Sequence, residues 1–176
     1  DVAPPNPDTR TYRFDYQATP WNDVLTDFSR MSGLPFLNQP DPPITENMTF
    51  RSPRDMTYKE ALHQLNELLL NRPLNKYLIH RQQNYLTIKR LPDLMREIPP
   101  ERMFRSFMEM EASKPDDFDI VMVNLPTPTG WSCYEIIEEF RTFFSDTYGT
   151  QCKGDVIELT GIVLEHHRFE KVVSKL

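Results

Sequence analysis

The stretch Thr57-Tyr58-Lys59-Glu60-Ala61-Leu62 (TYKEAL) decides how the first half of the chain folds. Its Thr and Glu stand three residues apart, the spacing of a capping box in which each side chain satisfies the other's free backbone amide. Apolar residues then recur at helical spacing. The stretch therefore predicts a helix that ends at Arg72-Pro73 and buries a stripe made of Tyr58, Ala61, Leu62, Leu65, Leu68 and Leu69.

Upstream of this helix, aromatic and polar residues alternate. Tyr12, Phe14 and Tyr16 are separated by Arg13 and Asp15, and a period of two places the three rings on one face of a strand. Thr19-Pro20-Trp21 then predicts the start of a helix, with Thr19 as its cap, and Gly33 predicts its end.

The remaining elements of the first half are short and rich in β-formers. Leu34–Leu37 and Met48–Arg51 predict strands, and Tyr77–Ile79 with Tyr85–Ile88 predicts a hairpin. The order is β-α-β-β-α-β-β over residues 11–90. Residues 1–10 carry three prolines and no apolar periodicity, which predicts a disordered leader.

The second half predicts a smaller unit after a proline-containing linker. Residues 91–116 have an irregular pattern that predicts the linker, and residues 117–176 predict the order β-α-β-β-α. The elements are a strand at Asp119–Leu125, a helix capped by Ser132 and Glu135, strands Thr150–Lys153 and Val156–Thr160 around Gly154-Asp155, and a helix at Ile162–Ser174. The fold class is α+β, with two small domains.

Composition excludes several classes of protein. The 176 residues are 39% hydrophobic and 26% charged, as in ordinary globular proteins. The net charge of −6 and the short basic pairs Arg51/Arg54 and Lys89/Arg90 argue against nucleic acid as a partner. No apolar run is long enough for a membrane-spanning helix. Because the sequence starts at Asp1 without a Met, we expect that a signal peptide or anchor has been removed.

The two cysteines, Cys133 and Cys152, are too few for a zinc site or a disulfide framework. They allow one bridge between a helix start and a strand, or two separate thiols. Separate thiols are the preferred interpretation, because the sequence does not place the two Cα atoms within bridging distance.

The polar residues predict no catalytic centre. His166 and His167 are neighbours, which point about 100° apart on a helix and cannot ligate one metal together, so we expect a solvated surface there. Glu138-Glu139 and Asp116-Asp117 are typical of solvated faces and turns. No nucleophile elbow occurs, and five glycines provide no phosphate-binding loop. We therefore expect a non-enzymatic chain without catalytic residues, metal, cofactor or small-molecule substrate.

The candidate binding surface is the first strand, Tyr12, Arg13, Phe14, Asp15 and Tyr16. In sheets this small, some strands lie at an edge, and an edge can pair with a strand of another protein. An equally good interpretation is that the outward charges of Arg13 and Asp15 protect the edge from aggregation.

The first unit resembles the short N-terminal domain of secretins and TonB-dependent receptors. The resemblance rests on the amphipathic strand at Tyr12–Tyr16, the helix ending at Gly33, the strand at Met48–Phe50, the TYKEAL capping box and the hairpin Tyr77–Ile88, and it covers residues 11–90. The second unit, residues 117–176, is similar to the KH-like ring-building domains that follow in secretins.

The resemblance implies a periplasmic vestibule associated with the outer membrane through a missing region or partner. The first domain would dock an inner-membrane protein of a type II secretion or pilus-type system, and the second would pack against copies of itself in a ring. The Gly- and Val-rich pore region of secretins is absent, so the chain is a fragment or borrows the vestibule alone. The alternatives are the signalling domain of a TonB-dependent receptor and a stand-alone periplasmic scaffold.

Overall fold

The computed structural model describes residues 6–143 and 148–173 and divides the chain into two units, Asp1–Leu91 and Pro92–Leu176. Both units combine helices with small sheets, which confirms the α+β class. The first unit contains β1 (Asp15–Pro20), α1 (Trp21–Ser32), β2 (Asn47–Arg51), α2 (Tyr58–Leu70), β3 (Tyr77–Arg81) and β4 (Leu86–Arg90).

The first unit has two two-stranded antiparallel sheets, β1 with β2 and β3 with β4. The strand predicted at Leu34–Leu37 is reduced to a single parallel bridge between Phe36 and Leu86. Pro35 fixes φ and lacks an N–H, which is consistent with a short pairing here.

An aromatic cluster holds the first unit together. Tyr12, Phe14 and Phe28 are fully buried, and Tyr16 is nearly so. The ring of Phe28 lies 5.9 Å from Tyr12 and 5.9 Å from Tyr58, centroid to centroid. These separations fall in the range of favourable aromatic pairs. The alternation at Tyr12–Tyr16 thus directs its rings into the core as predicted, although the strand β1 begins only at Asp15.

Two helix boundaries of the first unit follow their local signals, and a third does not. The side chain of Thr57 accepts from the Glu60 amide, and Glu60 accepts from the Thr57 amide, so the capping box is confirmed. Gly33 ends α1 with a left-handed φ of 72°, a conformation that glycine adopts at little cost. The prediction that Thr19 caps α1 is wrong: Thr19 lies in β1, and α1 starts after Pro20 without a side-chain cap.

The prediction of a disordered leader is wrong for residues 6–10, whereas residues 1–5 lie outside the described residues. Pro7 is buried and begins a 3-10 turn over Pro7–Thr9. The Tyr12 hydroxyl donates to the Pro7 carbonyl over 3.0 Å, and Arg81 donates to Asp8 over 2.7 Å. These two contacts fix a segment that has no local sequence signal of its own.

The second unit contains a four-stranded sheet in the order β5-β6-β8-β7. The β5 and β6 strands run parallel, and the other two pairs are antiparallel. Gly154, with a φ of 59°, and Asp155 form the predicted tight reversal between β7 and β8. The elements are α3 (Leu91–Arg96), β5 (Met103–Phe104), α4 (Phe107–Ser113), β6 (Ile120–Pro126), α5 (Cys133–Phe140), β7 (Gly149–Lys153), β8 (Val156–Ile162) and α6 (Val163–Val173).

The range assigned to a linker, 91–116, differs in the structure. It contains α3, β5 and α4, and from Pro92 onward it belongs to the second unit. The physical reason is burial. Phe104 and Met110 are buried against Val121 and Val123 of β6, so this segment completes the core of the second unit.

Cys133 and Cys152 form a disulfide, with their Cα atoms 5.8 Å apart. The preferred interpretation of two separate thiols is therefore wrong. The sequence could not place Cys133 at the first position of α5 beside Cys152 in β7, because that distance depends on how α5 packs on the sheet. The bridge links the helix to the edge strand across 19 residues of sequence.

Candidate functional site

The segment Arg13–Asp15 lies along one edge of the β1–β2 sheet. Phe14 directs its backbone inward: its N–H donates to the Ser52 hydroxyl over 2.8 Å, and its carbonyl accepts from the Ser52 amide over 2.9 Å. Tyr12 exchanges two such bonds with Met56. Because successive backbone groups alternate in direction along an antiparallel strand, the N–H and C=O groups of Arg13 and Asp15 point to the opposite edge.

The side chains at this edge are charged and exposed. Arg13 lies 3.6 Å from Asp55, and Asp15 lies 3.9 Å from Arg51, with every one of the four side chains more than half exposed. Exposed pairs at such distances add little stability. Both partners, Asp55 and Arg51, lie on the side of the segment that already pairs with β2. The two ion pairs therefore do not cover the backbone N–H and C=O groups that Arg13 and Asp15 direct to the other side.

In the β3–β4 sheet, by contrast, side-chain amides cover the outer edges. Asn66 accepts from the Ile79 amide over 2.7 Å and donates to the Ile79 carbonyl over 3.1 Å. Asn38 makes the same two contacts with Ile88 of β4. Each asparagine thus satisfies one donor and one acceptor, as a neighbouring strand would. Within the described parts of the chain, no comparable cover lies on Arg13 or Asp15.

A bulge limits the length of the open edge. The register of β1 against β2 shifts between Tyr16 and Thr19, and Ala18 has a φ of 47°. Bulges bend a strand and end regular pairing. An incoming strand therefore finds about two outward residues, Arg13 and Asp15, before the edge turns away.

A second feature is an apolar cavity of about 690 Å³ in the second unit. Trp131, at its rim, is 52% exposed. Among the described residues that line the cavity, Glu139 is the one that carries an ionisable side chain, and no paired acid and base lie within it. The lining is Phe107, Leu125, Pro126, Pro128, Trp131, Ile136, Glu139, Phe140, Ile157, Leu159 and Phe169.

His166 is fully buried, so the expectation of a solvated histidine is wrong there. Its Nε2 lies 3.3 Å from the Val121 carbonyl oxygen, which can only accept. Nε2 therefore carries the proton, and Nδ1 accepts from the Tyr148 hydroxyl over 2.6 Å. Burial lowers the pKa of His166 to about 4, which keeps the ring neutral near pH 7. His167, the next residue, is partly exposed on the same helix.

Each residue of the basic pair Arg51 and Arg54 is engaged by a nearby carboxylate. Arg51 faces Asp15, and Arg54 pairs with Glu60. The hydrogen bonds from Arg54 and then from Thr57 lower the pKa of Glu60 to about 2. These contacts neutralise part of the basic character of the first unit, which does not favour a phosphate-binding surface.

Binding at the Tyr12–Tyr16 edge stays a prediction, and the two asparagines that cover the other sheet were not predicted from the sequence. Asn66 falls within the apolar stripe of α2 and is 2% exposed. A buried amide almost always has a hydrogen-bond partner, so an asparagine on the core side of an amphipathic helix was the available signal.

No helix in the described ranges is long and apolar enough to cross a membrane.

Neither a protein-family model nor a curated protein matches this chain. Among solved structures, it is similar to XcpQN012, with 10% identity over 94% of this chain and 64% of that one and a TM-score of 0.36. For a dimer mutant of the N-terminal domain of the secretin XcpQ from Pseudomonas aeruginosa, the identity is 10% over 94% of this chain and 63% of that one, and the TM-score is 0.36. For the GspC-GspD complex of the type II secretion system from enterotoxigenic Escherichia coli, the identity is 13% over 94% of this chain and 98% of that one, and the TM-score is 0.38.

The chain spans just under two thirds of the length of the two XcpQ structures, 64% and 63%. TM-scores this low do not establish a common fold.

Proposed function

We propose that this chain is a non-catalytic protein-interaction module that forms part of the periplasmic vestibule of a secretin-like outer-membrane assembly. Its first unit docks the periplasmic portion of an inner-membrane secretion-system protein. Its second unit packs against copies of itself in the full assembly. The proposal includes no nucleic acid, small-molecule substrate or cofactor.

The proposal starts from the order of motifs in the first unit. The amphipathic segment at Tyr12–Tyr16, the helix ended by Gly33 and the capping box at Thr57 and Glu60 follow one another as in the short N-terminal domain that the sequence resembles. In the second unit, β6, α5, β7, β8 and α6 follow in the β-α-β-β-α order. That order favours a secretin-like vestibule over a TonB-dependent receptor, in which a plug and barrel would follow.

The observation that carries the docking proposal is the contrast between the two sheets of the first unit. Asn66 and Asn38 close the edges of β3 and β4, whereas the outward backbone groups of Arg13 and Asp15 have no such cover among the described residues. A partner strand can add to this edge by main-chain hydrogen bonds. Because the open stretch is short, we expect a weak contact that becomes stable only through multiple copies.

The second unit offers apolar surface for self-association. Within the described residues, it carries four large apolar side chains that are exposed by 42% or more: Met103, Met108, Trp131 and Tyr134. Aromatic and methionine side chains are enriched in the centres of protein interfaces. This surface supports packing between copies without assigning a subunit number.

Photo-cross-linking in the bacterium that encodes the chain tests the docking role. A photoreactive amino acid replaces Arg13 in one version, and it replaces Gln83, at the exposed tip of the β3–β4 hairpin, in a matched control. We expect position 13, and not position 83, to cross-link to the periplasmic portion of an inner-membrane secretion protein, identified by mass spectrometry.

Three other outcomes would contradict the proposal. A cross-link to a membrane signal transducer would favour the receptor alternative, and equal yields at both positions would remove the edge from the account. Turnover of a small molecule that a single substitution abolishes would overturn the non-catalytic assignment.

A further inference from the structure

The second unit brings together one histidine and two glutamates from two helices. Glu111 lies on α4, and His167 and Glu170 lie on α6. One potential ligand atom from each of the three lies within 4.8 Å of the others. His167 and Glu170 are three residues apart, so they share a face of α6. We propose that these three side chains bind a divalent transition-metal ion, with zinc as its representative.

The distance between His167 and Glu111 supports a bridging ion. The Nδ1 atom of His167 lies 3.7 Å from Oε1 of Glu111, which is too long for a direct hydrogen bond. Two ligands at about 2.0–2.1 Å from a tetrahedral zinc ion are about 3.4 Å apart. The separation therefore suits an ion between the two atoms after a small side-chain rotation.

The donor set also suits the charge and chemistry of such an ion. Two carboxylates and one neutral imidazole carry a charge of −2, which balances a divalent cation. Imidazole nitrogen favours zinc and its neighbours over calcium and magnesium, which take oxygen ligands. Three protein ligands leave the fourth tetrahedral position for water.

Packing independent of any ion holds α4 and α6 side by side. Phe107 of α4 has its ring centroid 6.1 Å from that of His166 and 6.3 Å from that of Phe169, both on α6. The ligand side chains thus sit on two helices that are already positioned. A bound ion would join α4 to α6 and stabilise the second unit.

In the sequence, the pair His166 and His167 is the visible candidate for metal binding, but two neighbours on a helix cannot ligate one metal together. In the structure His166 faces the core, where it contacts Tyr148 and Val121. Its neighbour His167 faces Glu111 instead. Of the partners of His167, Glu170 lies three residues further along α6, and Glu111 lies in the range 91–116 that was predicted to be a linker.

A zinc titration tests the site. Bound metal is first removed from the whole chain, and zinc binding is then measured by isothermal calorimetry in mildly alkaline buffer. We expect saturable binding of one zinc ion per chain. His167→Ala and Glu170→Gln should each weaken binding by about tenfold or more, since even the loss of a residue behind a metal ligand costs 10–100-fold. All three side chains are at least partly exposed, so these variants should fold.

The pair His63 and Glu67 on α2 provides a matched control. The Nε2 atom of His63 lies 3.5 Å from Oε1 of Glu67 on one helix face, and among the described residues the pair belongs to no group of three potential metal ligands. His63→Ala should leave zinc affinity unchanged. Saturation should also raise the unfolding temperature of the second unit, followed by the fluorescence of Trp131.

Two results would overturn the proposal. One is the absence of saturable binding in the unchanged chain, which would leave His167 and Glu111 as an ordinary ion pair. The other is binding that His167→Ala and Glu170→Gln do not weaken, which would mean adsorption to acidic surface elsewhere.

Discussion

Tyr148 donates its hydroxyl proton to Nδ1 of His166 inside the core of the second unit, over 2.6 Å. The imidazole in turn donates its Nε2–H to the carbonyl oxygen of Val121. This chain of two hydrogen bonds ties the residue that precedes β7 to α6 and β6. It satisfies a buried polar ring that would otherwise destabilise the fold.

The neutral state of His166 predicts a pH-dependent stability. Its pKa is lowered from 6.5 to about 4, mainly by burial. Between these values the unfolded chain binds a proton that the folded chain does not bind, so the stabilisation is complete above pH 6.5 and is lost as the pH falls toward 4. We expect a loss of about 3 kcal/mol in the free energy of unfolding across this window.

Urea unfolding at several pH values, in the presence of a chelator and followed by Trp131 fluorescence, measures this loss. His166→Gln removes the titrating group, so the unchanged chain should have the steeper dependence on pH. If both have the same slope between pH 6.5 and 4, His166 does not control acid stability.

Loss of the disulfide should destabilise the second unit selectively. Replacing Cys133 and Cys152 by Ser opens a loop that spans 19 residues of sequence, and chain entropy predicts a cost of about 3 kcal/mol. Trp131 should report the lower midpoint, while Trp21, buried in the first unit, should not. A reducing agent should reproduce the effect in the unchanged chain and add nothing in the double variant. An unchanged midpoint under reduction would contradict the bridge.

Asn66→Ala should destabilise the first unit through the edge of β3. It leaves the N–H and C=O groups of Ile79 without the partner that each now has. A buried group without a partner costs about 1–3 kcal/mol, so we expect a loss of about 2–4 kcal/mol in urea unfolding. Gln64→Ala on the same helix should cost less than about 0.5 kcal/mol. Equal effects of the two substitutions would show that the amide of Asn66 has no special role.

The isolated chain should be mainly monomeric in dilute solution. A contact made by one small unit buries less than about 1,000 Å², which rarely holds a stable complex without avidity. Light scattering over a concentration series should give the mass of one chain, 20.8 kDa. A closed ring that persists on dilution would contradict this expectation.

The features that the sequence predicted are those whose partners lie close in the chain. The Thr57 and Glu60 box, the Gly33 stop and the Gly154-Asp155 reversal each depend on a few neighbouring residues. Several of the misses, unlike the wrong Thr19 cap, depend on distant partners. Asp8 is held by Arg81, 73 residues away, and His166 is buried by contact with Val121, 45 residues away. No local pattern contains such information.

The candidate edge shows the same division. Alternation along Tyr12–Tyr16 was enough to predict which side chains enter the core and that Arg13 and Asp15 face out. Whether the edge stays open depends on what lies beside it. Asn38 closes the edge of β4 from 50 residues away, and the sequence could not show that Arg13 and Asp15 have no equivalent cover among the residues that the structure describes.

The central claim, that the backbone of the first strand binds a partner strand, is tested most directly by comparing two substitutions of Asp15. Proline removes the outward N–H and is tolerated where that group faces away from its own sheet, whereas alanine removes the carboxylate and keeps the N–H. Cross-linking yield from position 13 to the proposed inner-membrane partner should fall to background in Asp15→Pro and persist in Asp15→Ala, with circular dichroism showing both variants folded. Equal yields in the two folded variants would contradict the account.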